Sequence, residues 1–313
     1  MSARLGVIRA GEQPAQAIAG HSLTALDRPL APSIAAELWV AVASSEALLL
    51  GAFQRGAGLP DVELPLVRRG SGGPEVRIGP GTVHVALALS HPGALVPCDE
   101  KRIVNRSVRP LLRALTKTGS SAYFFGRDWI SVGNRPVGWV GFAHDSTSRR
   151  TVFEAFIAVQ TPFAFDQRPS FLGKSPATLD TLAGRIVSAE RIADAIVESY
   201  VAASGGEAAD LPAPVGAKKA DEDARADPPW TATRGEAIGP VGAGRDARGN
   251  FRVGGDLLVS RDALVRLETR IDVTSDPEIG ALVDETLGAP GVAIDGIRSL
   301  KSVRDAILDA RHV

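Results

Sequence analysis

Short apolar runs broken by turn residues dominate the first two thirds of the chain. Over Thr82–Leu89, Val83, Val85, Leu87 and Leu89 alternate with His84, Ala86 and Ala88, a period of two that predicts a half-buried strand. Leu38–Ala43 and Ala47–Phe53 are short continuous runs and predict buried strands. Val62–Val67 predicts another, with Pro65 pointing to an edge or a bulge. Trp129–Val132 and Val137–Phe142 predict a hairpin turned by Gly133-Asn134-Arg135-Pro136, and Val152–Val159 predicts one more strand. Between Asp99 and Lys117 the period changes to helical: Ile103, Val108, Leu111, Leu112 and Leu115 recur on one face, and Gly119 stands where a helix would stop. Pro110 inside that stretch predicts a kink or two shorter helices. A helix capped by Ser175 is expected after Pro176, and another over Ala189–Ala202. Residues 1–32 show no sustained period and predict a loosely packed entry with one short strand at Leu5–Arg9.

Residues 203–229 break the pattern. Small, charged and proline residues dominate there and no aromatic occurs, so too little apolar area is available to offset the entropy of ordering. This predicts a disordered linker between a main domain, residues 1–202, and a small accessory domain, residues 230–313. In the latter, Phe251–Val253, Asp256–Val259 and Val292–Ile294 are expected as strands, and Asp262–Arg270, Pro277–Leu287 and Leu300–Ala310 as helices.

Charge and cysteine content narrow the function classes. The 313 residues carry 35 basic and 36 acidic side chains, a balance that gives no long-range field for nucleic acid or an anionic membrane. Cys98 is the single cysteine, so no intramolecular disulfide can form and a reducing, cytoplasmic setting is expected. No run approaches the roughly 20 apolar residues of a membrane span. His84 and His91 have no further ligand at metal spacing, and no metal site is expected.

The strongest chemical feature is Arg68-Arg69-Gly70-Ser71-Gly72-Gly73, followed by Gly79-Pro80-Gly81, lying between two predicted strands. Glycines let backbone N–H groups converge on an anion, and adjacent arginines add charge-assisted donors. The same composition also suits a plain glycine-rich hairpin with solvated arginines. Other motifs fail on spacing: a nucleophile elbow would need glycine at Arg69, and a P-loop ending in Gly173-Lys174-Ser175 would need glycine at Arg168.

The stretch RRGSGGPEVRIGPGT resembles the signature loop of the lipoate–protein ligase A family. Downstream, Gly126-Arg127-Asp128-Trp129-Ile130 and Gly133-Asn134-Arg135-Pro136-Val137-Gly138 resemble, in the same order, two further motifs of that family. The resemblance runs over about Leu38–Val201. Residues 236–313, with Gly254-Gly255-Asp256, resemble more loosely the accessory domain of many such ligases.

The resemblance implies an α+β fold: a mixed, largely antiparallel sheet flanked by helices, plus a small C-terminal α/β domain. It also implies ATP-dependent activation of lipoate or a related acyl acid, with Mg²⁺, and transfer to a lysine on a lipoyl-type carrier domain. Neither nucleic acid nor membrane is an expected partner. By residue it assigns Arg135 as the electrostatic clamp, in place of the family's hairpin lysine. Arg68, Arg69, Ser71, Gly72, Gly73, Gly79, Gly81, Asp128 and Gly138 are assigned to substrate and ATP. Arg69, Ser71, Gly72 and Gly73 are expected to line the main pocket facing Arg135. Three departures stand out: Pro74 replaces the third loop glycine, Ile78 the loop histidine, and Arg135 the lysine. Two readings follow, a ligase or a catalytically degenerate acyl- or adenylate-binding or regulatory protein.

Overall fold

The computed structural model describes residues 5–57, 59, 63–165, 168–213 and 227–313. The larger part contains β1 (Leu5–Gln13), α1 (Ala15–Ala25), β2 (Ala36–Ala43), β3 (Ala47–Leu50), β4 (Leu66–Arg68), β5 (Val76–Ile78), β6 (Thr82–Leu89) and α2 (Ile103–Lys117). It continues with β7 (Ala122–Phe124), β8 (Trp129–Val132), β9 (Arg135–His144), β10 (Thr151–Ala158), α3 (Leu179–Ala183), α4 (Ala189–Ala203) and β11 (Ala208–Asp210). The smaller part holds β12 (Ala232–Gly235), β13 (Pro240–Arg245), β14 (Phe251–Gly255), β15 (Leu258–Val259), α5 (Arg261–Ile271), α6 (Ile279–Leu287), β16 (Ile294–Asp295) and α7 (Lys301–Arg311).

An eight-stranded sheet in the order β11-β1-β2-β6-β10-β9-β8-β7 forms the centre. Pairing is parallel for β11–β1–β2 and antiparallel through the rest, which is the mixed, largely antiparallel α+β sheet expected. A second sheet, β4-β3-β5, packs beside it and frames the glycine-rich loop. Every residue of β2, β6 and β10 is buried. The alternation in β6 had predicted one wet face. Helices α1, α2 and α4 and strand β5 pack against the central strands, which leaves no solvent face.

Four local expectations change. The strand expected at Leu5–Arg9 extends to Gln13 and is followed by an Ala-rich helix, and both contribute to the core where a loose entry was expected. Pro110 lies inside one helix, α2, instead of dividing two. The hairpin turn is shorter than read: Arg135 and Pro136 already belong to β9. Thr178, not Ser175, caps α3, accepting from the Thr181 amide. Val62 and residues 214–226 of the expected linker lie outside the described residues. The described start of that segment joins the main sheet, since β11 pairs with β1 and the Leu211 amide donates to the Val7 carbonyl at 2.7 Å.

Each part has its own apolar cluster, yet they share a polar and apolar seam. Ile238, Leu258 and Ala293 pack into the larger core. The Gly255 amide donates to Phe53 O at 2.8 Å, His144 Nε2 lies 3.0 Å from Gly291 O, and the Ser146 amide donates to Asp262 at 2.8 Å. Among the described residues, no helix is long and apolar enough to cross a membrane.

Candidate functional site

Strand β4 delivers Arg69 inward, where it is fully buried. Its guanidinium donates from Nε to Ser71 Oγ (3.0 Å), and from its terminal nitrogens to the carbonyls of Leu49 (2.9 Å), Gly72 (2.7 Å) and Pro74 (2.7 Å). It also lies 4.1 Å from the centre of the Trp139 ring. Burial pulls its pKa down to about 10, opposed by Glu154. The charge is therefore retained at neutral pH.

Glu154, in the middle of β10, is fully buried and accepts from Ser71 Oγ, while its other oxygen lies 2.8 Å from His84 Nε2. Burial alone would raise its carboxyl, but His84, Arg69 and Ser71 hold it below the usual range. Ser71 and His84 thus each bond Glu154 rather than each other. The arrangement braces a loop; it does not activate a hydroxyl.

Four of the loop amides donate within the protein. Arg69 N donates to Leu50 O (2.9 Å), Gly70 N to Ser22 Oγ (2.8 Å), Gly72 N to Phe142 O (3.3 Å) and Gly73 N to Leu257 O (2.8 Å). Pro74 has no amide hydrogen. A Cβ at Gly72 would sit 2.1 Å from Leu257 O, and Gly73 has φ +86° with the Trp139 ring 2.9 Å from its would-be Cβ. The glycines therefore admit the C-terminal part and an indole where an anion would otherwise approach.

The other assigned residues are dispersed. Arg135 donates to the carbonyls of Ser175 (3.1 Å) and Pro176 (2.8 Å). Among the described residues no cavity is found that Arg69, Ser71, Gly72 or Gly73 lines together with Arg135; these four are buried beside Trp139 and Leu257. Arg68 donates to Gln54 O at 2.6 Å and borders a cleft of about 510 Å³ with Arg55, Trp230 and Arg252. Gly79 and Gly81 shape the turn into β6; the Gly79 amide donates to Thr82 Oγ1 at 3.1 Å. Gly138 packs against the Phe156 carbonyl within the sheet.

Asp128 is buried, and burial pushes its carboxyl up to about 6 against the opposing Arg168. At the same seam Asp256 is pushed up to about 8, first by burial and then by Glu75, with Arg168 and Gln54 opposing. Gln54 Nε2 donates to Asp256 Oδ1 at 2.6 Å, and Arg168 pairs with Glu75 at 3.0 Å. Sequence reasoning missed Glu154, Gln54, Glu75, Arg168 and Asp256. One signal was available: an acid in the middle of the apolar run VFEAFIAV must find a buried partner.

An ATP phosphate would find most donors of this loop already engaged within the protein. The Arg69, Gly70, Gly72 and Gly73 amides and all three guanidinium nitrogens of Arg69 already donate within the protein. Among the described residues no cluster of His, Cys, Asp and Glu has metal-holding geometry.

No protein-family model matches the chain, and no curated protein is similar to it in sequence. Solved structures do share its architecture. P. falciparum LipL1 in complex with lipoate superposes with a TM-score of 0.63 and 12% identity, over 97% of this chain and 99% of that one. The lipoate protein ligase of a bipartite lipoylation system from Thermoplasma acidophilum gives 0.54 and 14%, over 69% and 88%. A lipoate-protein ligase A bound with ATP gives 0.50 and 13%, over 69% and 90%. At such identities the likeness is one of fold: the chain has the lipoate–protein ligase fold.

Proposed function

We propose that this chain is a divergent relative of the lipoate–protein ligases that has become a binding or regulatory protein, its acyl-adenylate cleft closed by its own C-terminal part. The observation that carries the reading is the spent donor set of the glycine-rich loop. An adenylate is stabilised by preorganised donors aimed at the reacting oxygens. Here the Arg69 guanidinium and the amides of Arg69, Gly70, Gly72 and Gly73 are aimed at protein carbonyls and a hydroxyl, and Trp139 and Leu257 pack against the loop. While the seam is shut, lipoate, other acyl acids and ATP are excluded from the loop, and a carrier domain can be held only at the outer surface.

A second reading is a ligase whose C-terminal part lifts away. It is favoured by the carboxylates of Glu75, Asp128 and Asp256 acting on one another around Arg168. Ionisation of Asp256 would loosen that seam and free the Gly73 amide from Leu257.

Incubation with ATP, Mg²⁺ and a panel of fatty and cyclic acids, from about pH 6 to about pH 9, separates the two. The first reading expects no acyl-adenylate at any pH. An adenylate whose yield grows with pH would replace it with the second.

A further inference from the structure

All seven charged residues between 101 and 127 are basic: Lys101, Arg102, Arg106, Arg109, Arg113, Lys117 and Arg127. Five of them fall at spacings of three and four along α2 and its N-cap: 102, 106, 109, 113 and 117. The apolar side of α2 is buried by Val108, Leu111 and Leu115, so this stripe faces outward; Arg102, Arg109, Arg113 and Lys117 are exposed and Arg106 is half-buried. Several surface arginines elsewhere are paired, as in Arg9–Asp210, Arg245–Asp272 and Arg270–Glu285. Among the described residues none of the five meets an acid; Arg109 bonds only Asn105. The neighbouring helix α4 carries Glu190, Asp194 and Glu198, and none pairs with the stripe. Glu100, just before it, is taken by Arg149 at 3.0 Å.

Like charges at i, i+3 and i, i+4 destabilise a helix, and cations at its N-terminal end oppose the dipole. A fold gains nothing from this row unless an anion neutralises it. We propose that the outer face of α2 is a docking surface for an acidic protein. A protein is favoured over nucleic acid by what adjoins the stripe. Strand β7, which contacts α2, ends the sheet among the described residues and pairs there with β8 alone. It presents Tyr123 (57% exposed) and the adjacent Phe125 (61%), stacked at 6.2 Å. Arginine beside large aromatics is the composition of protein-interface centres, and a strand edge offers backbone pairing that only a polypeptide can use.

Binding of a labelled oligo-glutamate peptide, measured by anisotropy, tests the surface against two competitors, a single-stranded oligodeoxynucleotide and phosphatidylglycerol vesicles. The peptide is expected to bind the wild type, to weaken with added salt, and to weaken at least about tenfold in Arg109→Glu/Arg113→Glu. Tyr123→Ser/Phe125→Ser should weaken it too, whereas Arg185→Glu/Arg248→Glu, which reverses two other exposed arginines, should leave it unchanged. Equal peptide binding by the two arginine variants would overturn the proposal. So would tighter binding of the oligonucleotide or the vesicles through the same arginines.

Discussion

Arg69 and Arg135 bear the same charge under opposite conditions. Arg69 is enclosed, and Arg69→Met would strand three carbonyls and leave Glu154 short of its cation; the expected loss is about 3–5 kcal/mol in urea unfolding. Arg135 donates to two carbonyls at the protein's margin, so Arg135→Met should cost no more than about 1 kcal/mol. Asp256 adds a pH dependence of definite sign. Its folded pKa is raised to about 8 from 3.8, so the native state holds a proton that the unfolded chain has released. Its contribution is present in full below the unfolded value and is lost as pH rises toward 8. Asp256→Asn should therefore match the wild type near pH 4 and exceed it by about 1–3 kcal/mol near pH 8, read as the pH slope of the unfolding midpoint. None of this was legible from residue type. The arginines looked equivalent in sequence because burial comes from the Trp139 and Leu257 contacts, which are remote in the chain.

Elements with local signals were readable and those with remote partners were not. The strands at 82–89 and 129–132 and the helix at 189–203 follow from their own periods and caps. Strand β1 was read only over Leu5–Arg9; its continuation to Gln13 was not, because there it follows a register shift against its parallel partner β2, which nothing adjacent in sequence marks. The glycine-rich loop was visible as a loop, but its use was not. Gly72 is needed because a Cβ there would meet Leu257 O at 2.1 Å, an approach that no local pattern encodes. Gly72→Ala should push the β14–β15 connection off the loop. Hydrogen exchange at the Gly73 and Gly255 amides should rise, while exchange in β6 and β10 stays as in the wild type. Unchanged protection at Gly73 would mean that the seam yields without opening.

At the scale of the molecule, the two parts are held by the Gly73–Leu257, Gly255–Phe53 and Ser146–Asp262 bonds and by the burial of Ile238 and Leu258. The packing of the C-terminal part against the loop was not legible, since contacting residues such as Phe53 and Gly255, or Gly73 and Leu257, lie about two hundred positions apart. A specific protease site inserted within residues 214–226 tests how firm the seam is. After cleavage the two pieces should co-elute on size exclusion and separate only in denaturant; separation in native buffer would show that the connecting chain, and not the seam, holds them. The pairing of Leu5–Val7 with Ala208–Asp210 has a consequence for synthesis. During translation β1 can pair with β2 early, but its other edge lacks its β11 partner until residue 210 has emerged. Through that interval the nascent chain presents an open parallel edge bearing Leu5 and Val7, the kind of edge that pairs with the wrong chain. Final closure of the sheet is thus timed by the arrival of the segment that leads into the C-terminal part.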